Sequence, residues 1–278
     1  MTLFNRLKLF FLLVPMALMV VSCSSKKAEL KARQANLHFG AGTQNLMEKQ
    51  YTDALKNLLL ANELTPDNPE ILNNMGMAYY FKGERDLAIK TLNRVLKLES
   101  KNSDAKVNLA TIYYHDANYS EAEKLYKQVL RDLTYDKQAR TLYNLGILEL
   151  QIKRDTVTAE KYFKKSIQED ESYCPSHFQL GIIRYNNRQF KSALRHFKDS
   201  AMGTCYETPA PHYYQAVTFM ELGKFLEARL KFDEVDTRFS KSVFAVKARN
   251  KVLDLNEIEK KSKAQSHASR NVLESHDF

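Results

Sequence analysis

Three cysteines and two of the seven histidines are the side chains whose type and placement in this 278-residue sequence suggest chemistry. Cys174-Pro175-Ser176-His177, followed by Cys205 and His212, offers the thiolate and imidazole donors from which zinc sites are built. The spacing is loose, and His177 and His212 fall at the same early position of two successive segments, where core packing accounts for them. Cys23 is different. It ends an apolar run in LMVVSCSSKK (Leu18 to Lys27), so its sulfur stands where apolar sequence gives way to polar sequence. No HExxH, GxSxG, phosphate-loop or paired-carboxylate pattern is present, so no enzyme, metal or cofactor is expected.

Residues Met1 to Ser22 have a short basic start (Arg6, Lys8), an apolar stretch from Leu9 to Val21 and no acidic residue. Pro15 interrupts the run, which falls short of the roughly 20 apolar residues of a spanning helix. Residues 1–22 therefore read as a cleaved export signal. Val20-Val21-Ser22-Cys23 resembles the lipobox of bacterial lipoproteins, in which the cysteine is acylated and the signal is cut just before it. That resemblance implies lipidation of Cys23 with several acyl chains, enough for stable anchoring. Ser24 stands where inner-membrane lipoproteins often carry aspartate, which favours the periplasmic face of the outer membrane.

Composition bounds the rest. Hydrophobic residues make up 44%, Tyr and Phe number 15 each, and only 8 Gly and 6 Pro interrupt the chain, which points to a helical protein. The net charge is +9, or +7 once Arg6 and Lys8 leave with the signal. Export removes nucleic acid as a partner, so an acidic protein face, anionic lipid or cell-wall polymer suits the excess better. Most lysines read as the solvated faces of helices.

The elements that position these groups emerge from self-similarity. Ala54, Ala88 and Ala122 recur at a period of 34; twelve residues before each stands a small residue (Gly42, Gly76, Ala110), and four after each a large one (Leu58, Leu92, Tyr126). The pattern continues with small slips through Gly146, Ala159 and Phe163, then Gly181, Ala193 and Phe197, then Ala216, Ala228 and Phe232. It resembles the tetratricopeptide repeat (TPR), with six copies over residues 35–242, although the usual early tryptophan is missing and the repeat-end proline survives only as Pro66. The resemblance implies an all-α, right-handed superhelical solenoid of helix pairs, each stabilised by stacking on its neighbours.

Asn68-Pro69 reads as a capped helix start, and Ser120 with Glu123 as a capping box. Residues 23–34 read as the lipidated N-terminus and a linker, residues 243–259 as a capping helix and residues 260–278 as a disordered tail rich in Lys, Ser, His and Asn. In this frame Cys174 opens the first helix of repeat five and Cys205 lies near the end of its second, ends that antiparallel pairing brings together. In an oxidising periplasm a disulfide there adds about 3 to 4 kcal/mol by loop closure; two free thiols are the alternative.

In TPR proteins the first helix of each pair lines a concave groove. Carried onto this sequence, that geometry assigns Phe39, Met77, Tyr80, Phe81, Tyr114, Tyr143, Phe178, Tyr185 and Tyr213 to a partner groove. Aromatics and methionine suit an amphipathic helix or extended peptide, while roughly half of the apolar groove positions are expected to pack against the next repeat instead. A carboxylate clamp does not fit, because its Lys and Asn positions hold Phe39 and Thr43, Asn73 and Met77, or Val107 and Thr111.

Between the third and fourth copies the register lengthens by two residues within Leu130 to Ile147, where Tyr135 precedes Asn144-Leu145-Gly146. This segment resembles the type IV pilus pilotins, the PilF, PilW and Tgl lipoproteins, which share a lipobox and six repeats. That resemblance implies an outer-membrane lipoprotein that binds secretin subunits and promotes their localisation and multimer assembly. The alternative is a periplasmic TPR scaffold organising cell-wall or outer-membrane assembly proteins.

Overall fold

Lys26 to Gln34 is a run of Lys, Ala, Glu, Leu, Arg and Gln, all strong helix formers. In the computed structural model, which describes the backbone of residues 26–274 and side chains as far as residue 261, this run opens the first helix, α1 (residues 26–47). Residues 26–34, expected as a linker, are therefore helical. Their side chains are exposed, and Ala35 is the first to be buried. The export segment and Cys23 lie outside the described residues.

The chain forms two compact units divided between Leu133 and Thr134, inside the lengthened junction. The first holds α1, α2 (Tyr51–Leu64), α3 (Pro69–Phe81), α4 (Arg85–Leu98), α5 (Ser103–His115) and α6 (Tyr119–Val129). The second holds α7 (Gln138–Leu148), a π-helical turn (Glu149–Lys153), α8 (Thr156–Glu169), α9 (Cys174–Asn186), α10 (Phe190–Asp199), a 3-10 turn (Gly203–Cys205), α11 (Pro209–Glu221), α12 (Phe225–Arg238) and α13 (Val243–Glu274). Each unit is a stack of helix pairs, and no strand occurs among the described residues. None of their helices is long and apolar enough to cross a membrane.

The repeat columns are the packing seams. All six alanines of the second helices (Ala54, Ala88, Ala122, Ala159, Ala193, Ala228) are buried, as are Leu58, Leu92, Tyr126, Phe163, Phe197 and Phe232 one turn on. In the four repeats where the small residue is glycine, the large side chain lies over it from the facing helix. A Cβ on Gly42 would stand 2.7 Å from Leu58 Cγ, and one on Gly76 would stand 2.8 Å from Leu92 Cγ.

First helices end in one recurring way. Lys49, Gly83, Ala117, Arg188 and Gly223 have φ between 56° and 87°. Each donates its N–H three residues back, as Gly83 does to Tyr80 O at 2.9 Å, and the next residue donates five back, as Glu84 does to Tyr79 O at 2.9 Å. This is the Schellman arrangement, which satisfies carbonyls that the helix end leaves open. The residue after each left-handed position is also the N-cap of the next helix, and at α2, α4, α6, α10 and α12 no side chain caps it. The capping box expected at Ser120 is accordingly not formed: α6 begins at Tyr119 behind Asn118, and Glu123 pairs with Lys127 at 2.6 Å. Asn68 does cap as expected, its side chain accepting from Glu70 N at 2.9 Å and Ile71 N at 3.1 Å ahead of Pro69.

Repeat four departs from the others by one residue, with thirteen rather than twelve between Gly146 and Ala159. The π turn absorbs the excess before Arg154 takes the left-handed position at φ 59°. Register is thereby preserved, and Gly146 still faces Phe163. At the C-terminus, α13 packs on α11 and α12 through Ala245, Ala248 and Leu255. It runs past residue 259 to Glu274, through a stretch that contains no Gly or Pro.

Candidate protein-binding site

In the first unit the expected groove residues divide between packing and exposure. Phe39 and Tyr80 pack on the core built by Leu58, Leu72, Leu92 and Ile112. Met77 is half-buried. Phe81 is 47% exposed, with its ring stacked on Tyr51 at 4.8 Å. Tyr114 is half-buried and meets Tyr119 edge-on at 5.6 Å. A pocket of about 540 Å³, floored by Leu72, Met75 and Tyr79 and rimmed by Lys90, Arg94 and Lys97, also lies in this unit; the sequence pattern does not point to it.

In the second unit Tyr143 and Phe178 are mainly packing residues. Tyr143 lies 5.9 Å from Phe163 and 5.8 Å from Tyr173, and burial raises its phenol pKa. Phe178 lies between Phe197 at 5.9 Å and Tyr214 at 5.6 Å. Tyr185 and Tyr213, by contrast, line a pocket of about 400 Å³ together with Tyr214, Val217 and the α13 residues Lys247, Asn250, Lys251 and Asp254. The Tyr185 hydroxyl donates to Glu221 Oε1 at 3.2 Å. Burial, followed by the Glu221 charge, pushes its pKa up to about 12, so at neutral pH it stays a donor. Tyr213 is braced by Phe232 at 5.9 Å and Phe244 at 5.4 Å. Lys251 is held by Asp254 at 2.8 Å, while Lys247 lies 5.2 Å from the Phe244 ring.

Phenol walls beside two ammonium groups offer apolar contact area and cationic hydrogen-bond donors side by side. The repeat pattern does not reveal the contribution of α13, because that helix reads only as a cap. Positions 247, 251 and 254 have the i, i+4, i+7 spacing of one helix face, which is the available signal.

Cys174 and Cys205 are joined in a disulfide with Cα atoms 6.2 Å apart. Cys205 sits in the 3-10 turn after α10 rather than in that helix. With both sulfurs bonded, they are not available as the thiolates of the metal set drawn from the sequence. The two histidines at equivalent positions also diverge. His212 is buried against Phe239, with Nε2 donating to the Tyr206 carbonyl at 2.9 Å. His177 instead faces His196 of α10, a residue that the sequence pattern does not single out.

Comparison with known proteins places this architecture. A tetratricopeptide-repeat family model matches residues 73–137. The type IV pilus assembly protein PilF of Pseudomonas aeruginosa is 24% identical over 178 residues, covering 64% of this chain and 69% of its own length. The photosystem I assembly protein Ycf3 of Prochlorococcus marinus is 31% identical over 130 residues, covering 44% of this chain and 74% of its own. The solved structure of Pseudomonas aeruginosa PilF aligns with a TM-score of 0.64 at 17% identity, over 80% of this chain and 99% of that one. PilW, described as a widely conserved type IV pilus biogenesis factor, aligns at 0.61 and 17% identity, over 77% and 97%. At such identities the structural likeness concerns the fold alone.

Proposed function

The chain belongs to the tetratricopeptide-repeat proteins, a class of non-catalytic protein-interaction scaffolds, and from that premise we propose that it is a periplasmic, membrane-associated scaffold holding proteins of envelope assembly. The pocket of Tyr185, Tyr213 and Tyr214 beside Lys247 and Lys251 carries this reading. Aromatic walls supply contact area at low entropic cost, and the lysines select an acidic residue in the captured segment. Lipid on Cys23 would keep the pocket at the membrane surface, where local concentration replaces intrinsic affinity. A photo-crosslinking residue in place of Asn250, at the exposed pocket rim, tests it in the exported chain. Discrete envelope proteins should be trapped, and Lys247→Glu should reduce their yield. Labelling that is diffuse, or indifferent to Lys247→Glu, would count against the pocket.

A second reading rests on the similarity to PilF and on the junction at Leu130 to Ile147. In it the captured partners are secretin subunits, which the chain localises and helps to assemble into multimers for a type IV pilus. Deleting the gene should then remove heat-resistant secretin multimers from the outer membrane. Multimers persisting at normal levels would sink this second reading and leave the scaffold reading standing.

A further inference from the structure

In repeat five the imidazoles of His177 on α9 and His196 on α10 approach Nδ1 to Nδ1 at 3.4 Å. Asp199, one turn beyond His196, brings Oδ2 to 3.7 Å from His177 Nδ1. One donor atom from each of the three lies within 4.8 Å of the others, and all three residues are partly buried. A tetrahedral zinc ion with ligands at ~2.0 to 2.1 Å requires neighbouring donors about 3.3 Å apart. The histidine pair already has that edge, while Asp199 stands wider, at 3.7 Å from His177 Nδ1, on a soft terminal torsion through which its carboxylate can close on an ion.

The outer hydrogen bond is also in place. His177 Nε2 lies 3.1 Å from the Glu171 carbonyl oxygen. A carbonyl only accepts, so Nε2 carries the proton and Nδ1 turns its lone pair toward the cluster. Such a bond fixes the tautomer and ring orientation of metal-ligating histidines.

We propose that His177, His196 and Asp199 form a site for a divalent transition-metal ion, with zinc the best match, that pins α9 to α10. Two imidazoles and one carboxylate are a borderline donor set of the kind zinc accepts, with the fourth position left to water. His177 and Asp199 also line a pocket of about 690 Å³ with Gln168, Glu171, Met202 and Gly203, which gives that water room. The disulfide frames the site: Cys174 lies one turn before His177 on α9, and Gly203 shares its turn with Cys205. Burial and the facing His177 hold His196 below the ordinary imidazole range, with Arg184 and Arg195 acting the same way and Asp199 opposing them. Arg184 is itself paired with Glu160. His196 is thereby held in the neutral form that can coordinate a metal.

Zinc titration of the untagged, oxidised, chelator-treated chain, read by calorimetry and by melting temperature, tests the site. One saturable zinc site and a raised melting temperature are expected, with Mg2+ producing neither. His196→Ala should weaken zinc binding at least tenfold, and so should the shape-conserving Asp199→Asn. Melting without metal checks that each variant is folded. His115→Ala, at an exposed imidazole of another repeat, should change nothing. Cobalt in place of zinc should give the visible absorption of a four-coordinate ion, lost in His196→Ala. Absence of saturable binding would overturn the proposal, as would wild-type affinity in folded His196→Ala and Asp199→Asn, or equal weakening by His115→Ala.

Discussion

A single methyl group decides how closely the four glycine-bearing helix pairs can pack. A Cβ on Gly146 would stand 2.5 Å from Phe163 Cε1, whereas one on Gly40, on the exposed part of α1, would meet nothing within 4 Å. Gly146→Ala should therefore cost about 1 to 3 kcal/mol by overpacking. Gly40→Ala should add about 0.5 to 1 kcal/mol through helix propensity. Urea denaturation of the two variants checks both signs. Protonation is the second effect at this scale. His196 and His212 both have pKa values lowered from the ordinary 6.5, with burial the leading cause in each. The unfolded chain therefore takes up these protons first as pH falls, so the stability they support is complete above about 6.5 and is lost below it. In metal-free protein the urea midpoint should fall between pH 7.5 and 5.5, and less steeply in His196→Gln. An equal slope in that variant would remove His196 from the explanation.

Helix ends separate what is legible in the sequence from what is not. Five first helices close through a left-handed residue, yet glycine occupies that position only at 83 and 223; Lys49, Ala117 and Arg188 adopt it against their side-chain preference. Ala117→Gly should consequently stabilise by about 1 kcal/mol, visible as a raised melting temperature, because it relieves that cost without removing a packed group. Where a side chain fills the seam, as at Gly76 and Leu92, the fixed spacing of small and large residues makes the packing legible. Where the backbone closes the helix, side-chain types leave no comparable trace. The Schellman closures replace the capping box expected at Ser120, and the π turn conceals its extra residue among ordinary helix formers. Residues 26–34 are polar but strongly helix-forming, so a reading by polarity alone does not reveal their helix. At the candidate pocket, Tyr185 and Tyr213 are legible from repeat position, while Lys247 and Lys251 come from a helix outside the six repeats. His196 is invisible as a partner of His177 in the sequence because the approach depends on how α9 and α10 pair.

At the scale of the molecule, cysteine placement divides the two units as sharply as the backbone does. The described residues of the first unit, 26–133, contain no cysteine, and the second contains Cys174 and Cys205. Three stacked pairs are about the minimum at which a repeat array buries its own apolar faces. The second unit also carries α13, which covers Phe232 and Val235 with Ala248 and Leu255. A fragment spanning residues 134–278 should therefore fold cooperatively by itself. The disulfide closes a separation of 31 residues, and loop entropy of that length is worth about 3 to 4 kcal/mol. Reductant should lower the fragment's stability by about that amount, while a fragment of residues 26–133 should melt identically with and without it. If the reduced 134–278 fragment melts like the oxidised one, the bridge only decorates a pair already fixed by Phe197 and Ala193. If it instead loses cooperativity, the covalent link is what holds the 3-10 turn, and with it the walls around His177, in place.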